Sequence, residues 1–219
     1  MCGRYSLTTF ADVLEERFGA RLEFPKYQPR YNAAPSQMLP VILNTDPKRI
    51  VPAFWGFIPS WYKDPEPSHG VINARAETLS QKAFFRSSFE KRRCLVLADG
   101  FFEWQAVTRR NKIPHWITLK NKGPFAFAGI WSLIKVPTVG ELATFAIVTC
   151  EPNFLVSQVH DRMPVILERT NEHPYLEADL KTAASFFVPY PNKDLVRQAL
   201  SPLVNSPAND RPEILEPAA

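Results

Sequence analysis

The sequence lacks the features that would place the protein in a membrane or in an oxidising compartment. No apolar run among its 219 residues approaches the roughly 18 residues that are needed to span a bilayer. The first residues also lack the apolar core of a secretory signal peptide. The cysteines Cys2, Cys94 and Cys150 form neither a disulfide framework nor a metal-ligand spacing. We therefore expect a cytoplasmic protein with reduced thiols and no metal, or a nuclear protein if the source is eukaryotic.

Glycine is also scarce, with 8 residues against 21 prolines, so connections should be rigid and extended rather than flexible. Hydrophobic residues make up 45% of the chain and charged residues 22%, a balance that excludes disorder over most of its length. No repeat, low-complexity segment or linker divides the sequence. We therefore expect a single domain over residues 1–219, in which residues 205–219 are a C-terminal extension that ends in a short strand.

The net charge of +4 is unevenly spread along the chain. Residues 1–150 carry 20 Lys and Arg against 12 Asp and Glu, whereas residues 151–219 carry 6 against 10. A basic body of this kind favours a polyanionic partner. A solvated surface with a chance asymmetry is the alternative.

Hydrophobic periodicity predicts helices over residues 9–18 and 80–92, with Thr9 as the N-cap of the first and Gly19 as its stop. The predicted strands span residues 39–44, 50–57, 94–99, 101–107, 115–120, 125–134, 141–150 and 163–167. Strands in a run with few intervening helices are typical of an α+β fold. We expect a mostly antiparallel, barrel-like β core flanked by short helices.

The remaining segments are less regular. Residues 24–38 and 58–70 are punctuated by proline and predict loops, residues 71–77 predict a short extended segment, and residues 171–200 predict two weak helices. Pro52 predicts that its strand lies at a sheet edge or contains a bulge.

The second position of the chain holds a cysteine with unusual chemical possibilities. Cells commonly remove an initiator methionine before a small residue, and Cys2 is small. Removal would leave one residue with a thiol and an α-amine, whose reference pKa is about 7.7–8.0. The neutral amine can condense with an aldehyde to an imine, and the thiol can then close a five-membered thiazolidine on the same carbon. This position indicates carbonyl capture, and a chance cysteine is the alternative.

Other polar residues suit roles around such a reaction. Asn73, Arg75 and Glu77 share one side of an extended segment, where Asn73 can bind a sugar or phosphate oxygen and Arg75 a phosphate, unless that side simply meets water. Glu103 lies between aromatic residues, which would raise its pKa and suit proton transfer, unless the strand exposes it. His160 lies beside Asp161, which can fix its tautomer, although a lone histidine is more often an ordinary surface or core residue.

Aromatic and basic residues are interleaved in the first half of the chain. Binding of single-stranded DNA uses such a mixture, because bases stack on aromatic faces while Lys and Arg follow the phosphates. Trp61 and Tyr62 are the best stacking candidates, since a proline-rich loop can hold a rigid wedge, whereas most of the others can equally be core. The interleaved residues are Arg4, Tyr5, Arg30, Tyr31, Trp55, Trp61, Tyr62 and Arg86.

Six segments, in fixed order over nearly the whole chain, resemble the SRAP (SOS response associated peptidase) family. They are MCGRY at the start, RYNAAP at 30–35, FWGFIPSW at 54–61, INARAET at 72–78, RRCLVLADGFFEW at 92–104 and VHDRMPVIL at 159–167. Each motif alone is weak, but the ordered set is specific. The resemblance implies a compact α+β fold with a β-rich core and a basic DNA-binding cleft.

The resemblance also implies roles for four catalytic residues. Cys2 would be the nucleophile that forms a thiazolidine with the opened sugar of an abasic site. Asn73 would position that sugar, and Glu103 would be the acid and base for imine formation. His160 would assist opening of the sugar ring and reversal of the crosslink.

The same resemblance implies a DNA-binding set. Arg4 and Arg75 would hold flanking phosphates, while Trp61 and Tyr62 would stack near the lesion; family members often carry two tryptophans there, and Tyr62 departs from that pattern. The full predicted set is Arg4, Asn32, Pro35, Trp61, Tyr62, Arg75 and Arg86. The partner would be single-stranded DNA with an abasic site, bound by a monomer without a small-molecule cofactor.

The predicted function is covalent capture of abasic sites, which shields them from strand breakage, with crosslink reversal and weak lyase activity as accompanying reactions. One alternative is an N-terminal-nucleophile hydrolase, since one class of glutamine amidotransferases also begins with MCG. A second is a cysteine peptidase that pairs Cys2 with His160, and a third is a non-catalytic module that binds single strands.

Overall fold

The computed structural model describes residues 2–63, 70–108, 111–137 and 140–218. Met1, whose removal the predicted chemistry requires, lies outside these residues, as does the stretch 64–69 of the predicted proline-rich loop. Within the described ranges, no helix is long and apolar enough to cross a membrane.

The strands are numbered in chain order. They are β1 (Tyr5–Leu7), β2 (Arg21–Leu22), β3 (Arg30–Ala33), β4 (Met38–Leu43), β5 (Arg49–Trp55), β6 (Asn73–Arg75), β7 (Arg93–Ala98), β8 (Gly100–Ala106), β9 (Lys112–Leu119), β10 (Phe125–Val136), β11 (Gly140–Cys150), β12 (Met163–Pro164) and β13 (Leu195–Ala199). The α-helices are α1 (Ala11–Phe18), α2 (Ala83–Lys91), α3 (Phe154–Ser157), α4 (Arg169–Glu177) and α5 (Leu180–Ser185). Short 3₁₀ turns span Ala76–Thr78, Asn192–Asp194, Pro202–Asn205 and Pro212–Leu215.

Five of these strands form a closed ring. β11 pairs with β10, β10 with β7, β7 with β4 and β4 with β5, all antiparallel. β5 then pairs in parallel with β11, where Phe54 lies opposite Thr144 and Trp55 opposite Phe145. Closure leaves the central strands without free edges, and their side chains fill the interior. The predicted α+β fold with a mostly antiparallel, barrel-like core is therefore confirmed.

A second, antiparallel sheet has the strand order β13-β9-β8-β1-β3 and packs beside the ring. Tyr5 of β1 connects this sheet to the ring of strands. The centroid of its aromatic side chain lies 5.1 Å from that of Trp55 and 5.9 Å from that of Phe127. Tyr5 is fully buried, and β1 begins three residues after Cys2. The second sheet therefore draws the start of the chain into the core.

Two prolines of the ring, Pro40 and Pro52, lie where a ladder hydrogen bond is not needed. Pro40 of β4 lies directly opposite Pro52 of β5. On its other side, β5 pairs with β2 at Arg49 and Ile50, and with β11 only from Phe54 onward. Pro52 lies between these two partners, at a point where that side of β5 has no paired strand. The predicted edge position is therefore present locally, although β5 has neighbours on both sides elsewhere.

The first helix differs from its prediction. It begins at Ala11, and Thr9 does not cap it, because the backbone N–H and the hydroxyl of Thr9 both donate to the carboxylate of Asp99. Phe10 and Val13 are 67% and 44% exposed, and Leu14 is the fully buried residue of the helix, so its apolar face is narrow. Gly19 ends the helix as predicted, in the left-handed conformation at φ 59° that glycine adopts without strain.

Candidate functional site

Cys2 is held at the junction of the two sheets. Its side chain is fully buried, and its thiol donates to the carbonyl of Arg4 over 3.6 Å. Its own carbonyl accepts a hydrogen bond of 2.9 Å from Nδ2 of Asn73. Asn73 is presented by β6, which runs parallel to β11 and places Asn73 opposite Ile147. The amide of Asn73 thus fixes the backbone of the residue that is predicted to react.

Glu103 brings a buried carboxyl group to the same place. It lies on β8, the strand that pairs with β1, and only 3% of its surface is exposed. The alternative of a solvent-exposed carboxylate is therefore wrong. Burial raises the pKa of Glu103 to about 7, and the negative charge of Asp161 acts in the same direction. A carboxyl group with this pKa is present in both protonation states near neutral pH, so it can donate and accept protons.

Burial also governs the ionisation of the Cys2 thiol. It raises the pKa of the thiol above its ordinary value, and the charge of Glu103 raises it further. The thiol is therefore protonated at neutral pH.

His160 completes the cluster from the loop after α3. Its Nε2 lies 3.9 Å from Oε2 of Glu103. Its Nδ1 accepts a 2.9 Å hydrogen bond from the backbone N–H of Arg162, while Oδ1 of Asp161 lies 3.0 Å away. Burial lowers the pKa of His160, so the imidazole is neutral at physiological pH. The carbonyl of Arg162 also lies 3.2 Å from Nδ1, and the tautomer that accepts the bond from the Arg162 N–H is the one with its ring proton on Nε2, toward Glu103.

The four residues predicted as catalytic therefore converge on one site. It combines a cysteine at the start of the chain, an amide that holds its backbone, and two titratable groups, a carboxyl and an imidazole. Among the residues that the structure describes, no cluster of three or more His, Cys, Asp or Glu side chains could hold a metal ion.

Arg4, predicted to hold a phosphate, touches the cluster through its carbonyl, which accepts the hydrogen bond from the Cys2 thiol. Its guanidinium donates to Oδ1 of Asn32 over 2.8 Å and to the carbonyl of Val204 over 3.2 Å, and it lies 5.8 Å above the ring of Trp104. Together with Trp104 and Lys112 it lines an open cavity of about 500 Å³. A phosphate in this cavity would meet two cationic side chains.

Asn32 and Pro35, also predicted to bind DNA, are placed differently from each other. Asn32 is fully buried, and its amide donates to the carbonyls of Val204, Ser206 and Asn209. These contacts anchor the C-terminal segment, so Asn32 has a scaffolding role in the structure. Pro35 is half-buried in the turn between β3 and β4.

The predicted stacking residues are exposed. Trp61 is 59% and Tyr62 43% exposed, with their ring centroids 6.3 Å apart. The ring of Phe84, on α2, supports Trp61 edge-on at 6.2 Å. Arg86 on the same helix and Arg75 at the end of β6 are both exposed. These side chains are available to a ligand.

Comparison with known proteins shows the family of the chain. The model of the family described as SOS response associated peptidase (SRAP) matches residues 1–207. The chain belongs to the SRAP family. The match spans every residue of the cluster around Cys2 and all seven of the predicted DNA-binding residues.

Relatives within the SRAP family come from bacteria and vertebrates. YoqW of Bacillus subtilis, named an abasic site processing protein, is 41% identical over 222 residues, which cover 99% of each chain. HMCES of Rattus norvegicus, with the same description, is 30% identical over 270 residues, or 100% of this chain and 76% of the relative. A crystal structure of a protein from Bacteroides thetaiotaomicron superposes with a TM-score of 0.89 at 27% identity, covering 100% of both chains.

Two residues near the site of this SRAP protein were not assigned roles from the sequence. Arg162 donates to both carboxylate oxygens of Glu77, over 2.6 and 2.9 Å, and to the carbonyl of Thr149 over 2.6 Å. Glu77 does not lie in the same extended segment as Asn73 and Arg75, because β6 ends at Arg75 and a 3₁₀ turn follows. Both residues fall within the INARAET and VHDRMPVIL motifs, which was the signal available for finding them.

Proposed function

We propose that the protein captures abasic sites in single-stranded DNA covalently, through the amine and thiol of Cys2 after Met1 has been removed. The observation that carries the proposal is the convergence of Cys2 with Asn73, Glu103 and His160. The relatives named as abasic site processing proteins support the choice of substrate.

An abasic site is a suitable substrate because it is a cyclic hemiacetal in equilibrium with an open aldehyde. The α-amine of Cys2 adds to the aldehyde carbon, and the resulting carbinolamine loses water when an acid protonates its hydroxyl. Glu103, with its pKa about 7, is placed to supply that proton. The product is an imine that still carries the neighbouring thiol.

The second bond closes the ring. Sulfur of Cys2 adds to the imine carbon, the thiol proton is transferred through Glu103, and the former imine nitrogen gains a proton. The overall reaction joins aldehyde, amine and thiol with loss of one water, and needs no oxidant or reductant. Because amine and thiol belong to one residue held by Asn73, ring closure is intramolecular and benefits from a high effective concentration.

The thiazolidine explains how capture would protect DNA. Strand breakage at an abasic site begins with loss of a proton from the carbon beside the carbonyl. The closed ring has no carbonyl, so this elimination is blocked. The same proton-transfer groups can reopen the ring by microscopic reversibility, with His160 assisting, and the imine intermediate allows weak lyase activity.

The state of the Cys2 thiol argues against the peptidase alternative. A cysteine peptidase needs a thiolate, and its environment lowers the pKa of the thiol. Here burial raises that pKa. A protonated thiol suits a step in which sulfur adds to an already formed imine.

The DNA path in this proposal runs over the exposed groups around the site. Trp61 and Tyr62 offer stacking faces to the bases beside the lesion, and Arg75 and Arg86 offer charge to the phosphates. Arg4 offers a further positive charge in the cavity that it lines with Trp104 and Lys112, and Pro35 is included in the path because of the family resemblance. We leave Asn32 out of direct contact, because its amide already bonds the C-terminal segment.

The proposal is tested with a single-stranded oligonucleotide that contains one abasic site. Incubation with the protein should give an adduct that survives denaturing electrophoresis. A matched oligonucleotide with a tetrahydrofuran in place of the abasic sugar has no aldehyde and should give none. Equal adduct from both oligonucleotides, or none from either, would refute the proposal.

The capture rate should depend on pH through Glu103. Dehydration needs the protonated carboxyl, whose fraction is high below pH 7 and falls as the pH rises through its pKa of about 7. The amine must be neutral, so the rate should also fall on the acidic side, giving a bell-shaped profile between about pH 5.5 and 8.5.

Glu103→Gln isolates the contribution of the carboxyl group. It should slow capture by roughly 10²-fold, the usual contribution of a general acid, and remove the alkaline limb of the profile. Single-turnover rates across the pH range measure both effects. An unchanged profile would remove Glu103 from its assigned role.

Arg75→Ala should weaken binding to undamaged single-stranded DNA and make binding less sensitive to salt. Loss of one phosphate contact should reduce the slope of log K against log salt by about 0.7. Fluorescence anisotropy at several salt concentrations measures the slope. Lys48→Ala is the matched control, because Lys48 is exposed at the opposite end of β5 from the loop with Trp61; an equal change in both variants would contradict a local contact.

A further inference from the structure

The ion pair between Glu77 and Arg162 connects the 3₁₀ turn that follows β6, the strand of Asn73, to the loop that carries His160. Arg162 donates to the carboxylate of Glu77 through its two terminal nitrogens, Nη1 and Nη2, and Nη2 also donates to the carbonyl of Thr149 in β11. Such a paired, charge-assisted geometry fixes the orientation of both partners. The side chain of Arg162 is only 12% exposed, so this end of the pair is shielded from solvent.

The backbone of Arg162 contacts His160 directly. Its N–H donates to Nδ1 of the imidazole over 2.9 Å. That hydrogen bond exists only while Nδ1 is unprotonated, so it selects the neutral form with its proton on Nε2. Because the side chain of Arg162 is anchored by Glu77 and Thr149, the position of its N–H depends on the anchor.

A competing partner for Nδ1 lies beside it. Oδ1 of Asp161 is 3.0 Å from Nδ1 and can only accept a proton, so it favours the opposite form. The other groups that act on the imidazole are Glu103 from β8, Lys112 from β9 and the amino terminus of the chain. The carbonyl of Arg162, 3.2 Å from Nδ1, is a second acceptor that draws a proton toward that nitrogen, so the shorter bond from the N–H of Arg162 opposes both it and Asp161.

We propose that Glu77 is a positioning residue, which acts through Arg162 to hold His160 in the neutral form with its proton on Nε2, toward Glu103. The consequence for crosslink chemistry rests on the proposed function. The tautomer itself is a property of the free protein and can be measured without DNA. Loss of the anchor lets the segment 161–162 turn, so that Asp161 becomes the main partner of Nδ1 and the proton moves to that nitrogen.

The test compares E77A and E77Q with the wild type by long-range ¹H–¹⁵N NMR of the histidine rings. The His160 signals are assigned by their absence in H160A. The wild type should show the form protonated on Nε2 at neutral pH, and E77A should show a shift toward the form protonated on Nδ1. E77Q keeps one acceptor for Arg162 and should lie between the two.

E23Q is the matched control, because Glu23 forms an exposed pair with Arg49 at the far end of β5. E23Q removes an exposed pair, which contributes little stability, so it should melt at the wild-type temperature. E77A and E77Q should melt at lower temperatures because they leave the shielded Arg162 without its carboxylate, but circular dichroism should show them folded at the temperature of the NMR measurement. E23Q should leave the His160 signals unchanged. A wild-type tautomer in E77A, or the same change in E23Q, would overturn the proposal.

A second readout separates positioning from binding. In E77A, release of DNA from the preformed adduct should slow by about tenfold, the usual size of an effect from a residue behind the reacting groups. The affinity for undamaged single-stranded DNA should not fall, because the freed Arg162 keeps its charge. A wild type without any adduct would refute the proposed function alone, since the NMR comparison would still decide the role of Glu77.

Discussion

Replacement of Cys2 by alanine is expected to abolish the stable adduct with abasic DNA. The α-amine remains, so an imine can still form, but no sulfur is available to close the ring. Effective concentrations for well-oriented intramolecular steps reach about 10⁵–10⁸ M, and no thiol in solution replaces such a neighbour. The fraction of adduct that survives denaturing electrophoresis should therefore fall by roughly two orders of magnitude or more.

Borohydride and a second cysteine variant make this test specific. Reduction should trap the residual imine of C2A as a permanent amine, which demonstrates that DNA still reaches the site. Cys94 is also fully buried, and its pKa is also raised by burial, but it lies in β7 of the ring. C94A should capture abasic DNA at the wild-type rate. Stable adduct from C2A would show that another residue supplies the second bond.

Extension of the chain ahead of Cys2 is expected to have an effect of similar size. A lysine inserted between Met1 and Cys2 should prevent methionine removal, because the new second residue is large. The nitrogen of Cys2 then belongs to a peptide bond and cannot form an imine. The thiol alone gives only a reversible hemithioacetal, so no adduct should survive denaturation.

A cleavable extension supplies the control for that experiment. A tag whose protease leaves Cys2 as the first residue should be inactive before cleavage and fully active afterwards. Recovery separates the loss of a free amine from a failure to fold. Full activity of the uncleaved protein would contradict the mechanism, because it would show that the amine of Cys2 is not needed.

The ring of strands could be predicted because the local sequence of its longer strands indicates a strand. β7, β10 and β11 are apolar runs bounded by turn residues, which is the pattern of buried strands. β3 was missed, because its segment is proline-punctuated and becomes a strand only by pairing with β1. β13 lies in a stretch predicted as helical, and its pairing with β9 overrides that weak preference.

Within the site, nearby sequence indicated some residues, whereas the contacts of others depend on residues far away in the chain. The motifs around Cys2 and Glu103 contain the two groups to which the proposal assigns the chemistry, and the aromatic neighbours of Glu103 predicted the direction of its pKa shift. The burial of Asn32 could not be predicted, because it depends on carbonyls more than 170 positions later in the chain. The Glu77–Arg162 pair joins residues 85 positions apart, and neither motif alone indicates that partner.

Intact-mass spectrometry of the native protein mixed with an abasic oligonucleotide tests the central claim most directly. The account predicts one covalent species, whose mass is that of the chain without Met1 plus the oligonucleotide less one water. Borohydride should leave this mass unchanged, because a thiazolidine contains no imine to reduce. A covalent species that retains Met1, or one that gains two hydrogens on reduction, would contradict the account.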